Sequence, residues 1–219
     1  MFVLKKVHYK DILSINELTL PEKKVSCIIG ESGSGKTTLL KLLNQLISHD
    51  GGEIWFQNHL IEKWDPITLR RNVVMVPQTP VITSESIREN LNLGATMSDQ
   101  SPKDDEELKN VLEFMKLDKN LNQNADNLSS GEKQRLSLAR VMLMDPSVFL
   151  LDEPSSALDE DLEDLIISKF IDYAVNKNKT VIMVTHSKKI GQKQSDVLIN
   201  IDNGKAVIKK GGNQEWRLE

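Results

Sequence analysis

The run Val25-Ser26-Cys27-Ile28-Ile29, followed at once by Gly30-Glu31-Ser32-Gly33-Ser34-Gly35-Lys36-Thr37, constrains this chain more than any other stretch. This short, largely apolar run, rich in branched residues, reads as a buried parallel strand. The octapeptide fits G-x-x-x-x-G-K-[ST], whose glycines let consecutive backbone N–H groups point at phosphate oxygens. The pattern after it predicts a helix over Thr37–Ile47, with Leu39, Leu42, Leu43, Leu46 and Ile47 on one face. Its N-terminus adds the positive end of a helix dipole. In such a loop Lys36 reaches the β- and γ-phosphates and the Thr37 hydroxyl faces Mg²⁺. The expected nucleotide contacts are Gly30, Glu31, Ser32, Gly33, Ser34, Gly35, Lys36, Thr37 and Thr38.

The rest of the chain can be placed around that unit. Phe2–His8 and Ile12–Leu20 read as strands, and Glu53–Phe56 with Leu60–Ile61 as a hairpin around Asn58. Val73–Val76 is a second buried-type strand. After Gln78 the character turns helical: Ser84–Leu93 with Thr83 or Ser84 as N-cap, Asp104–Met115 with acids in its first turn, and Ser130–Met144. Met97–Asp105 and Asn120–Asn127 read as loops. Strand character resumes at Ser147–Leu151, then a helix at about 161–176 and a strand at Thr180–Thr185. Val197–Ile201 and Ala206–Ile208 flank Asn203-Gly204, a strong hairpin turn signal. Alternating strands and helices imply a parallel sheet covered on both faces. The division expected is an α/β core with an antiparallel β subdomain, residues 1–78 and 146–219, and a helical insertion, residues 79–145.

Composition narrows the classes. With 219 residues, 39% hydrophobic and 27% charged, the chain can bury a sizeable core and is not a disordered type. The net charge of −4 argues against nonspecific nucleic-acid binding. The single cysteine, Cys27, excludes an internal disulfide and fits a reducing cytoplasm. No apolar stretch approaches the roughly 18 residues needed to cross a bilayer, and the N-terminus lacks a secretory pattern, so a membrane role would come through another chain.

Two further motifs follow strands. Val148-Phe149-Leu150-Leu151-Asp152-Glu153 is an apolar strand ending in two acids. Adjacent side chains on a strand point to opposite sides, so the two acids have different jobs. Asp152 suits Mg²⁺; by itself such an end is also an ordinary solvated cap. Upstream lies Leu128-Ser129-Ser130-Gly131-Glu132 at the start of a helix. A helix N-terminus with a serine hydroxyl and a glycine for close approach can address an anion. The same residues also fit a plain capping box, Ser129 with Glu132.

A phosphate loop, this serine–glycine loop and an acidic strand end, in this order, resemble the ATP-binding cassette (ABC) family over nearly the whole chain. The resemblance implies a P-loop NTPase fold and an ATPase. It implies that Ser129, Ser130, Gly131 and Glu132 form a signature loop gripping ATP held by a second copy, with Ser130 and Glu132 standing where the family consensus has Gly and Gln. By the same resemblance Glu153 polarises the attacking water, His186 senses the γ-phosphate, and Gln78 touches Mg²⁺ and the water. Asp159, in Ser156-Ala157-Leu158-Asp159, belongs to a dimer-contacting loop or caps the next helix, and Tyr9 stacks on adenine.

The expected partners are a second cassette in the ATP-bound state and a separate transmembrane permease, with the chain cytoplasmic and peripheral on the membrane. No nucleic acid is expected. Thr79-Pro80-Val81-Ile82 offers apolar surface for docking a permease. Chromosome-maintenance relatives need a coiled-coil insertion, translation-factor relatives a second cassette and DNA-repair relatives zinc-binding cysteines; none is present. A soluble cassette of the iron–sulfur assembly type remains the alternative. The compact insertion and short C-terminus look most like the small cassettes of the Fet-type metal-export group.

Overall fold

The computed structural model describes residues 1–211 except Ser84 and Asp99. Two sheets organise it. The first is antiparallel and four-stranded, in the order β2-β1-β4-β5. Its strands are β1 (Phe2–Tyr9), β2 (Leu13–Leu20), β4 (Gly51–Phe56) and β5 (His59–Leu60). The second has six strands in the order β10-β9-β3-β8-β7-β6. These are β3 (Val25–Ile29), β6 (Val73–Val76), β7 (Val148–Asp152), β8 (Thr180–Val184), β9 (Val197–Asp202) and β10 (Lys205–Gly211). Pairings from β9 through β6 are parallel; only the β9–β10 hairpin is antiparallel.

Period-two alternation along the central strands divides the core. Cys27, Phe149, Leu151, Val181 and Met183 face one cluster, packed with the helices of the insertion and its neighbours. Ile28, Leu150, Ile182 and Val184 face the other, with α1 (Lys36–Leu43) and the antiparallel sheet. Neighbouring residues on a strand must point to opposite faces. A strand buried on both faces therefore needs apolar residues throughout, and β7 and β8 are buried at every position.

Between β6 and β7 run α3 (Ile87–Met97), α4 (Asp105–Phe114) and α5 (Ser130–Met144). The cap of α3 is Ser86 rather than Thr83; Ser84 lies outside the described residues. Glu89, three residues on, completes a capping box: Glu89 N–H donates to Ser86 Oγ at 3.2 Å and Ser86 N–H to Glu89 Oε2 at 2.9 Å. The helix also continues past Leu93 through Gly94, where a Cβ would lie 2.4 Å from Met144 Cγ. Close packing on α5 compensates the low helix propensity of glycine there. Conversely α1 stops at Leu43 rather than Ile47, because Gln45 takes a left-handed φ of 53° and its amide donates to Ile61 O at 2.6 Å.

Two short helices were not anticipated. α2 (Pro66–Asn72) starts on Asp65, which accepts from Thr68 N–H at 2.8 Å, with proline in the first turn. α7 (Lys188–Gln194) starts on Ser187, which accepts from Ile190 N–H at 3.3 Å. α6 (Glu160–Asn176) covers the sheet between β7 and β8 in sequence.

Candidate active site

The carboxyl ends of β3, β6, β7 and β8 converge on one cleft of about 390 Å³. It is lined by Ser32, Gly33, Gly35, Lys36, Thr37 and Thr38 from the glycine loop, with Gln78, Glu153, His186 and Ile12. The loop turns through positive φ at Gly33 (77°) and Gly35 (103°), a region closed to most side chains. Gly35 caps α1 through its backbone alone.

Lys36 is buried and its Nζ donates to the carbonyls of Gly30 (2.9 Å) and Glu31 (2.7 Å). Burial pushes its pKa down, while Glu153 and then Asp152 oppose the shift. The Thr37 hydroxyl donates to Asp152 Oδ1 at 3.0 Å. Asp152 is 3% exposed. Burial pushes its carboxyl pKa up; the Thr37 bond works against that, and Glu153 adds to it.

A buried carboxylate beside a hydroxyl at the phosphate loop fits a hard divalent cation. Among the described residues no group of three or more His, Cys, Asp or Glu could hold a metal by itself. The donor set therefore suits Mg²⁺ brought in with nucleotide oxygens rather than an all-protein cage. Ser34 Oγ, buried and without a hydrogen-bond partner among the described residues, is a further polar atom in the loop.

Glu153 sits at the hub. Gln78 Nε2 donates to its Oε2 at 2.8 Å, and His186 Nε2 lies 2.7 Å from its Oε1. Its side chain is 15% exposed, against 52% for His186. The ends of β6 and β8 thus present their polar residues to a carboxylate at the end of β7.

The remaining expected residues lie elsewhere. Ser129, Ser130, Gly131 and Glu132 do not line the cleft. They form the N-terminus of α5, with Ser129 and Ser130 exposed. The capping box is present: Glu132 N–H donates to Ser129 Oγ at 3.3 Å and Ser129 N–H to Glu132 Oε2 at 2.9 Å. Lys119 Nζ stands 2.8 Å from Glu132 Oε1, and its hydrogen bond is the main reason that the Glu132 pKa is held down. Asp159 caps α6, accepting from Leu162 N–H at 3.0 Å. Tyr9 ends β1, packed against the second core cluster with Lys10 Nζ 5.1 Å from its ring centre; the cleft is lined by Ile12 instead.

Sequence reasoning passed over the buried polar residues of α5, of which Gln134 and Arg140 make the most telling contacts. Gln134, 0% exposed, donates from Nε2 to Glu153 O at 3.1 Å and accepts from Ala157 N–H at 3.3 Å. Arg140 donates to Asn90 O (2.7 Å), Asn90 Oδ1 (2.8 Å) and Val81 O (2.8 Å). The available signal was weak: polar residues on a helix whose other positions are mostly apolar.

The family model described as "ABC transporter" matches residues 13–156, more than half of the chain. The phosphate import ATP-binding protein 3 of Natronomonas pharaonis is 35% identical over 94% of this chain and 76% of its own length. The pediocin transport/processing ATP-binding protein of Pediococcus acidilactici is 36% identical over 94% of this chain, which spans only 29% of that relative. Among solved structures, a dimeric ATP-binding cassette in a post-hydrolysis state with ADP and Pi superposes with a TM-score of 0.84 at 24% identity, covering 96% of this chain and 100% of that one.

Proposed function

This chain belongs to the ABC transporter family, as an ATP-binding and ATP-hydrolysing cassette, and we propose that it drives a separate membrane permease through ATP-dependent head-to-tail dimerisation. The observation that carries the reading is a division of labour. The cleft holds the phosphate loop and the Gln78–Glu153–His186 cluster, while the exposed Ser129 and Ser130 at the start of α5 lie outside it. A second copy brings that helix end to the cleft. Two nucleotides then bridge two faces, which gives the closed dimer the differential affinity that a population shift requires. The dimeric arrangement of the structurally similar cassette supports this reading.

In the closed state Lys36 exchanges its two loop carbonyls for phosphate oxygens. Glu153 takes the proton of the water that attacks the γ-phosphorus, and the bond to the ADP oxygen breaks. His186 orients the Glu153 carboxylate and meets the γ-phosphate, and Gln78 reports its state to the insertion. Thr37, Asp152 and Gln78 would hold Mg²⁺, which neutralises phosphate charge. Asp159 joins the dimer contact and Tyr9 the adenine side.

No helix among the described residues is long and apolar enough to cross a membrane. Relatives 35% and 36% identical are named for phosphate import and for pediocin transport, which supports placing cargo choice in the permease. Val81, 62% exposed, is the docking candidate; Ile82 instead packs partly buried against the core.

The test captures a Glu153→Gln variant from detergent-solubilised membranes with ATP and Mg²⁺. A stoichiometric multi-span protein is expected, lost on Val81→Asp. A soluble partner alone would move the reading to a permease-free assembly cassette.

A further inference from the structure

Glu153 has a backbone φ of 48°, left-handed and costly for a residue with a side chain. Such a conformation persists only where its surroundings over-determine it. Five contacts pin this residue. Its N–H donates to Val184 O at 3.0 Å, and its carboxylate meets Gln78 and His186. Those three come from neighbouring strand ends. The other two meet the Glu153 carbonyl: Ser156 N–H donates to it at 3.2 Å from the turn that follows, and Gln134 donates to it from α5.

The other end of the same amide accepts from Ala157 N–H, so one buried side chain clamps both ends of segment 153–157. Packing seals the joint: a Cβ on Gly131 would lie 3.0 Å from both the Ala157 carbonyl oxygen and Leu158 Cδ2. Gln134 follows Ser130 by about one helical turn. The exposed start of α5 and the backbone of Glu153 are therefore joined through one buried side chain.

We infer that Gln134 is a positioning residue that couples the two ATP sites: the grip of a chain's signature loop on its partner's ATP sets the geometry of that chain's own Glu153. This rests on the head-to-tail dimer proposed above. When Ser129 and Ser130 engage a nucleotide, α5 shifts, Gln134 carries the shift to the Glu153 carbonyl, and the carboxylate in the other site follows. Coupling of this kind is reciprocal between the two binding events, so turnover rises cooperatively with ATP.

Two substitutions test it. Gln134→Met keeps the length and burial but removes both hydrogen bonds. Gln134→Glu keeps the acceptor for Ala157 and removes the donor to Glu153. The expected result is a Hill coefficient above 1 for the unsubstituted protein and near 1 for both variants. Their kcat should fall about ten-fold with KM within about two-fold. A Hill coefficient of 1 before substitution, or one preserved in folded variants, overturns the inference. Amide exchange at Ala157 of the Glu153→Gln protein gives a readout that needs no change at Gln134: slower exchange with ATP supports the coupling, unchanged exchange overturns it. ATP-driven dimerisation of that protein on a sizing column checks the underlying reading separately. A dimer with an unaffected Hill coefficient sinks only the coupling; no dimer sinks the reading beneath it.

Discussion

Replacing Arg140 by leucine should destabilise the nucleotide-free protein by about 3 kcal/mol. Arg140 is 9% exposed and the three acceptors of its guanidinium are all neutral oxygens, at 2.7, 2.8 and 2.8 Å. Burial pushes its pKa down, the sign of a cation held in a poorly solvating place. Truncating a hydrogen bond from a charged donor costs roughly 1.5–3 kcal/mol, so three would sum to well above 4. Two terms reduce the total. Leucine removes the desolvation cost of the guanidinium and adds apolar burial. Asn90 also keeps other partners: its Oδ1 accepts from Thr83 N–H at 3.0 Å, and its Nδ2 donates to the carbonyls of Thr83 and Ser86, each at 3.0 Å.

A loss of about 3 kcal/mol in a chain of this size lowers the melting midpoint by roughly 6–12 °C. Urea denaturation followed by circular dichroism measures it directly. Arg140→Lys should retain most of the loss, because an ammonium cannot fork between Val81 and Asn90 as a guanidinium does. Basal ATP turnover should fall too, since Val81 follows Gln78 by three residues and anchors that loop to α5. A destabilisation under about 1 kcal/mol with turnover unchanged would refute the argument that this network ties the Gln78 loop to the insertion.

Three other outcomes are expected. Asp152→Asn should raise the melting midpoint of the nucleotide-free protein at neutral pH while abolishing hydrolysis. A carboxyl whose pKa is raised by folding contributes stability at low pH and loses it as pH rises through the folded pKa, so the gain should fade on acidification; a midpoint lowered at neutral pH contradicts the burial argument. Gly30→Ala should weaken ATP binding at least ten-fold by calorimetry, because φ is 151° and a Cβ would lie 2.1 Å from the Ile201 carbonyl oxygen; unaltered affinity contradicts the close approach. Glu153→Gln should cut single-turnover hydrolysis by about 10²-fold or more while leaving ATP binding intact; retained turnover would remove Glu153 from the role of base.

Much of the fold was legible because its signals are local. β3, β6 and α5 have the limits read from the sequence. Branched apolar runs specify buried strands, and a serine with glutamate three residues on specifies a helix start. The plain N-cap preference, applied at Thr83 and Ser84, missed the start of α3: the box lies at Ser86 and Glu89, and only a partner glutamate distinguishes one serine from the next. α2 was overlooked although Asp65-Pro66 is a start signal, because only Leu69 of that helix is buried and no apolar stripe marks it.

The chemistry of the phosphate loop and the class of fold are written in local stretches of chain. A glycine loop between an apolar strand and a helix has one main use, and its geometry depends on nearest neighbours in the chain. Tertiary structure alone decided which residues meet. The strand order β10-β9-β3-β8-β7-β6 sets β7 between β6 and β8. That order brings Gln78, 75 residues distant in sequence, and His186 onto the two oxygens of one carboxylate. It also decided that Ile12 rather than Tyr9 borders the cleft, and that Gln134 and Arg140 turn inward. A glutamine or arginine on a helix carries no local mark of burial. Its desolvation is offset only by acceptors that distant segments supply, and those acceptors come within reach only when the whole sheet is assembled.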